Sequence, residues 1–317
     1  MKMKLTPKSD LHFYNCENTD YRHELGEWLK ALDLLLTKKQ MKSLVAHKLQ
    51  FERSIFDVDQ YIQSACEFTV MSRMYVDFKD GFEYEPKHNE GNPEHRKKDI
   101  DFSFNYYLLQ VNVEVKCFSR LKLQDPAPSG EQGEGRPKSR FLPLKDFFKS
   151  ANEKFRPAGD FESNILVVCC YSLDDFIDVA NSLAGSSGVC FRKNRPDEQI
   201  ECIFDVKDFD KVDGVIVTNL AFHHENFNRR SGGKYLSPWE FTKTFTMGFQ
   251  VHDKSKPGFK GVVDQLIKHA FNIQNDRYTS FCKKENLDRF DFNVSLRKLI
   301  EHLNNDLNGY YFVSECE

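Results

Sequence analysis

Between Asp99 and Cys117 the chain alternates apolar and polar side chains with a period of two, a pattern that restricts the fold tightly. Ile100, Phe102 and Phe104 alternate with Asp99, Asp101 and Ser103. Past a short break, Val111, Val113 and Val115 alternate with Asn112, Glu114 and Lys116. Period two is that of a half-buried strand, and two such runs joined by a few residues form an antiparallel hairpin. Residues i and i+2 point the same way, so the apolar set faces a core and the charged set gathers on the opposite face. Two registers put a carboxylate across from Glu114. Asp99 opposite Glu114 centres the turn between Tyr106 and Tyr107, and Asp101 opposite Glu114 centres it between Tyr107 and Leu108. The first keeps Asn105 within the turn, a position asparagine favours, and is slightly preferred; the second stays open.

The flanks of this hairpin predict an α/β fold. Residues 24–53 carry apolar side chains at helical spacing and read as two helices. A further helix starts at Asp57, a candidate N-cap, and runs to about Tyr75. Phe82, Tyr84 and Pro86 suggest a short strand entering a polar loop. Residues 124–138 have the Pro, Gly and charge content of a flexible loop. A helix at 143–155, a buried strand at Asn164–Tyr171, a helix at Leu173–Ala184 and a strand at Asp213–Asn219 follow. A strand-like stretch near 241–251 and helices at 259–272 and 292–307 complete the reading. The organisation expected is an N-terminal helical segment (1–56), a core (57–220) with a mixed central β-sheet flanked by helices, and a C-terminal extension (221–317) packed on the core.

Composition excludes some classes. The longest apolar run, Ile165–Cys170, cannot span a bilayer, so no membrane partner is expected. The N-terminal MKMKLTPKSD lacks the apolar segment of a signal peptide. Nine cysteines without a CxxC pair point to buried, reduced thiols in a cytoplasmic protein. The net charge of −3 gives no support to a nucleic-acid partner by itself, although acidic metal ligands beside a basic groove would cancel in that sum.

The charged face of the hairpin is where chemistry is expected. Two or three carboxylates on one small patch repel each other unless a cation lies between them. Their hard oxygens suit Mg2+ or Mn2+, which keeps waters and substrate phosphate oxygens as further ligands. A lysine two residues from such a ligand can position an attacking water. An E-x-K triplet alone also fits any solvated strand face, so the upstream acidic strand carries part of the weight.

The segment 66–117, with Glu67 on a helix, Asp99 or Asp101 on a strand, and the VEVK run holding Glu114 and Lys116, resembles the core of the PD-(D/E)XK, or restriction-endonuclease-like, nuclease superfamily. The resemblance covers about residues 57–171 and implies an αβββαβ core, with added N- and C-terminal elements. It implies a metal-dependent nuclease that hydrolyses phosphodiester bonds in DNA, or in RNA, in a setting such as phage defence or restriction. A homodimer or a partner protein of a defence system would be compatible assemblies. The catalytic set would be Glu67, Asp99, Asp101, Glu114 and Lys116, with Glu67, Asp99, Asp101 and Glu114 as metal ligands. Lys149, Asn152 and Lys154 lie on the helix after the triplet. The spacing of DIDF to VEVK is that of resolvase-like relatives and favours Asp101. Two features depart from the pattern. No proline precedes the aspartate, whose neighbours are Lys98 and Ile100. Glu67 also falls opposite the apolar stripe Val58, Tyr61, Ile62, Ala65 and Thr69, with Ser64, Met71 and Met74, so it is either solvated or under a second covering layer. The rival is a catalytically silent nucleic-acid or protein-interaction module. His223-His224 reads as a chance loop pair, Arg229, Arg230 and Lys234 around Gly232-Gly233 as a surface loop, and the 29 phenylalanines as core.

Overall fold

The computed structural model describes residues 5–15, 19–86, 100–119, 142–183, 190–192, 195–200, 209–227, 237–239, 244–251, 265–268, 271, 273–306 and 311–312. Asp99 and the 124–138 and Arg229–Lys234 segments lie outside them.

Six strands form one mixed, open sheet. In chain order they are β1 (Glu83–Tyr84), β2 (Phe102–Tyr106), β3 (Leu109–Phe118), β4 (Glu162–Cys170), β7 (Gly214–Thr218) and β8 (Thr246–Gln250), and neighbours in this order are hydrogen-bonded. Parallel pairing of β3 with β4 and of β4 with β7 makes the middle; β1, β2 and β8 run antiparallel at the margins. The strands β5 (Cys190–Arg192) and β6 (Arg195–Ile200) form a separate hairpin. β8 comes from the segment read as a C-terminal extension, yet it is the far edge of the same sheet.

The helices are α1 (Thr19–Leu32), α2 (Lys38–Ser43), α3 (Val58–Asp77), α4 (Leu142–Asn152), α5 (Leu173–Leu183), α6 (Leu220–Phe227), α7 (Asn275–Lys284) and α8 (Phe292–Asp306). Of these, α6 was read as loop, and α7 was not anticipated. It buries only Tyr278 and Cys282 and so carries little apolar periodicity.

Helix α3 positions the site. Its N-cap is Asp57, whose carboxylate accepts the Gln60 N–H at 3.1 Å, and no glycine or proline interrupts its 20 residues. Both of its faces are buried, including Met71 and Met74, because α3 lies between the sheet and α6. After α3 the chain reverses at Gly81, whose φ of +62° suits glycine; a Cβ there would meet the Asn105 amide at 2.2 Å. Two ring stacks then fix the hairpin on the end of α3. Phe78 lies against Phe104 at 4.8 Å between centroids, and Phe82 against Phe102 at 5.6 Å. Each fully buried phenylalanine contributes about 1.5–3 kcal/mol.

The hairpin register pairs Phe102 with Val113 and Tyr106 with Leu109, leaving Tyr107-Leu108 as the turn. This is the alternative that favoured Asp101, and the slight preference for Asp99 is corrected. Asn105 is a strand residue paired with Gln110, and its backbone N–H bonds the Asp80 carbonyl, so its turn preference is spent on the neighbouring Gly81 corner. Tyr107 takes the left-handed conformation (φ 54°) instead.

Candidate functional site

Strand β3 is longer than its partner β2, and that mismatch builds the site. On one side β4 pairs with β3 from Gln110 to Phe118; on the other, the pairing with β2 stops at Phe102–Val113. The VEVK half of β3 therefore projects past the hairpin with backbone groups in need of partners. Side chains supply them. The Asp101 carboxylate accepts the Val115 N–H at 2.7 Å. Gln63 of α3 donates to the Val115 carbonyl at 2.8 Å and accepts the Cys117 N–H at 2.7 Å. Asp101 is itself pinned through its backbone, donating to the Val113 carbonyl at 3.1 Å and accepting from Glu85 N–H at 2.9 Å.

Carboxyl groups from three elements meet around this notch: Glu67 of α3, Asp101 before β2, and Glu114 of β3. Glu67 and Glu114 are only 6% and 3% exposed, and Asp101 is partly buried. The solvated reading of Glu67 is thereby excluded. Burial pushes Glu67 up to about 8; the nearby Asp101 adds to the rise and Lys48 opposes it. Burial, followed by the charge of Glu114, raises Asp101 to about 7 against the pull of Lys48 and the Val115 N–H. Burial raises Glu114 to about 7 against Lys154 and Lys116, with Glu67 adding to the rise. Crowded, desolvated carboxyls favour their neutral forms for these two reasons together.

Three lysines answer them. Lys48 contacts Glu67 Oε1 at 2.6 Å and Glu85 Oε1 at 2.8 Å, and its ammonium lies 5.1 Å from the Tyr84 ring centroid. Lys154, just beyond α4, approaches Glu114 Oε1 at 3.4 Å. Lys116 donates to Ser150 Oγ of α4 at 2.8 Å, with the Phe147 ring centroid 5.9 Å away. Glu114 Oε2, by contrast, is buried and has no hydrogen-bond partner among the described residues. Among the described residues no group of three or more His, Cys, Asp or Glu side chains is arranged to hold a metal ion.

The expected set thus separates. Glu67, Asp101 and Glu114 come together electrostatically, Lys116 of β3 lies beside Glu114 but bonds Ser150 of α4, and Asp99 lies outside the described residues. Of the residues on α4 and its C-terminal end, Lys154 faces Glu114. Asn152 instead bonds Asp210 and the Lys211 N–H, and Lys149 is exposed. Sequence reasoning missed Lys48, Glu85 and Gln63. Lys48 had no signal, because its partner is 19 residues away across an irregular turn. Gln63 sits one turn before Glu67 on α3, and that spacing was its only mark.

The free thiols of Cys66, Cys117 and Cys169 lie near one another, and burial pushes that of Cys66 well up, as expected of an inert, reduced interior thiol. His223 and His224 are corrected from a loop pair to fully buried residues of α6. His224 bonds Tyr21 Oη at 3.1 Å and Thr69 Oγ1 at 2.9 Å, and His223 bonds Asn219 at 3.0 Å. Adjacent side chains can both be buried here because α6 is packed against α3 and β4 on the inside, with the C-terminal Tyr311–Phe312 segment also against it.

Among the described residues no helix is long and apolar enough to cross a membrane. Compared with family models, curated proteins and solved structures, the chain matches none.

Proposed function

We propose that this chain is a metal-dependent nuclease hydrolysing phosphodiester bonds, with DNA as substrate. The observation that carries the reading is the placing of Asp101 beside Glu114 at the projecting end of β3, next to Lys116. At that point a buried Glu114 oxygen has no hydrogen-bond donor among the described residues. An unsatisfied buried oxygen costs about 1–3 kcal/mol, so its retention suits a ligand-binding role. The residues fit a divalent ion: Mg2+ needs only one or two carboxylates and takes its other ligands from water and phosphate, and Asp101 and Glu114 provide the pair. Bound there, Mg2+ or Mn2+ supplies a water of lowered pKa and neutralises charge on the phosphate. Lys116, swinging from Ser150, would orient that water and stabilise the developing charge. The order α3-β1-β2-β3-α4-β4 is the αβββαβ succession that the sequence resemblance implies. Restriction or phage defence is the setting we propose on that resemblance.

A second reading has one observation in its favour. Lys48 and Lys154 already counter the carboxylates, as they would in a silent nucleic-acid or protein-interaction module. Metal binding separates the two. The nuclease reading expects Mn2+ to raise the unfolding temperature. It also expects cleavage of plasmid, single-stranded DNA or RNA with Mg2+ or Mn2+, and none in EDTA; the panel also reports which nucleic acid is the substrate. Neither stabilisation nor cleavage leaves the silent module.

A further inference from the structure

Lys48 is held in place by unusual local structure. It ends a π-helical turn, Leu44–Lys48, in which the Leu49 N–H bonds the Leu44 carbonyl at 2.8 Å; such turns are rare and concentrate at functional sites. Two residues on, Gln50 is left-handed at φ 59°, a strained conformation for a side chain with a Cβ. Its buried amide compensates by bonding both the N–H and the carbonyl of Asp57, each at 2.8 Å, which locks the turn to the start of α3. These features fix the Lys48 ammonium between Glu67 and Glu85. Burial works against its charge, but Glu67, Tyr84 and Asp101 more than offset this and keep it an ammonium.

The two ends of the carboxyl cluster therefore differ. At one end Glu67 is matched by a close, fixed cation at 2.6 Å. At the other, Lys154 reaches Oε1 of Glu114 at 3.4 Å, and Oε2 has no hydrogen-bond partner among the described residues. We propose that Lys48 is the resident cation of this centre, withdrawing Glu67 from metal binding so that the centre takes one divalent ion, on Asp101 and Glu114. A second ion near Glu67 would meet the Lys48 charge at short range, where partial burial leaves little screening. The inference rests on the metal-binding reading above and adds the stoichiometry and the residue that sets it. Lys48 acts as a positioning residue, through Glu67.

The test is Mn2+ binding to the full chain, counted by electron paramagnetic resonance, with circular dichroism as a check of folding. The expected result is one Mn2+ in the wild type and in Lys48→Arg, two in Lys48→Met, and none in Glu114→Gln. Glu67→Gln in the wild-type background should leave Mn2+ affinity within about threefold, short of the roughly 10–100-fold that loss of a ligand's support costs. That arm stands even if Lys48→Met does not fold. Two ions in the wild type, one in a folded Lys48→Met, or a tenfold loss in Glu67→Gln overturns the role of Lys48 and leaves the nuclease reading intact. No Mn2+ in the wild type overturns both.

Discussion

Two buried polar centres lie on α3, and burial affects them in opposite ways. Around His224, desolvation lowers the basic groups, and His223 falls to about 3. Both histidines are neutral at pH 7, and Tyr21, Thr69 and Asn219 hold them in hydrogen bonds that need no charge, although His223 Nδ1 has no partner among the described residues. Around Glu114, the same desolvation raises acids to about 7 and 8, and three lysines keep them from rising further. One centre is fixed far from its titration point and serves packing. The other holds carboxyls shifted to near neutral pH, as groups at chemical sites often are.

The sharpest way to break this contrast is to alter the carboxyl centre without disturbing the fold. Asp101→Asn keeps an oxygen to accept the Val115 N–H but removes a ligand charge. Metal-dependent cleavage should fall by about 10²–10³-fold or more, with the unfolding midpoint little changed, as activity and urea titrations together would show. The converse variant, His224→Ala, should cost about 3 kcal/mol in urea unfolding through a cavity and two broken hydrogen bonds, and leave Mn2+ affinity unchanged. An affinity change in that variant would erase the distinction between the centres.

A pH series sharpens the contrast further. The carboxyls have folded pKa values above their unfolded ones, so the folded state binds the extra protons and stability is lost as pH rises through about 7 to 8. The histidines have folded values below 6.5, so their contribution is present above that pH and is lost as pH falls from 6.5 toward about 4 for the buried His12 and about 3 for His223. Metal-free protein should therefore lose about 1–3 kcal/mol between pH 6.5 and 8, below the range in which the buried thiols of Cys66, Cys169 and Cys170 add to the fall. Calorimetry on Glu67→Gln should show a shallower fall, and an unchanged slope would exclude Glu67 as its source. The smallest effect expected is Asp57→Ala, about 1 kcal/mol from loss of the α3 cap, measurable by thermal unfolding.

How much of this was legible in sequence depends on the range of each interaction. Asp57 as a cap, the hairpin period and the near-continuous apolar run of β4 are local or strictly periodic, and they were readable. The hairpin register was not settled, because Asn105 looks like a turn residue until Gly81 is seen to pack against its side chain. Glu67 opposite an apolar stripe was ambiguous, since a helix covered on both faces has no exposed side to define. Lys48 was invisible: its role depends on a π-helical turn and a left-handed Gln50, neither of which carries a periodic signature. His223-His224 misled for the same reason as Glu67, being covered from two sides.

The central claim is that the notch at Glu114 and Lys116 hydrolyses phosphodiesters with a divalent metal. The most direct test incubates wild type and the double variant Glu114→Gln/Lys116→Met with supercoiled plasmid and Mn2+, with and without EDTA. Nicking or linearisation by the wild type only, abolished by EDTA, is the expected result, with both proteins folded by circular dichroism. Cleavage by a purified, folded double variant at the wild-type rate would contradict it.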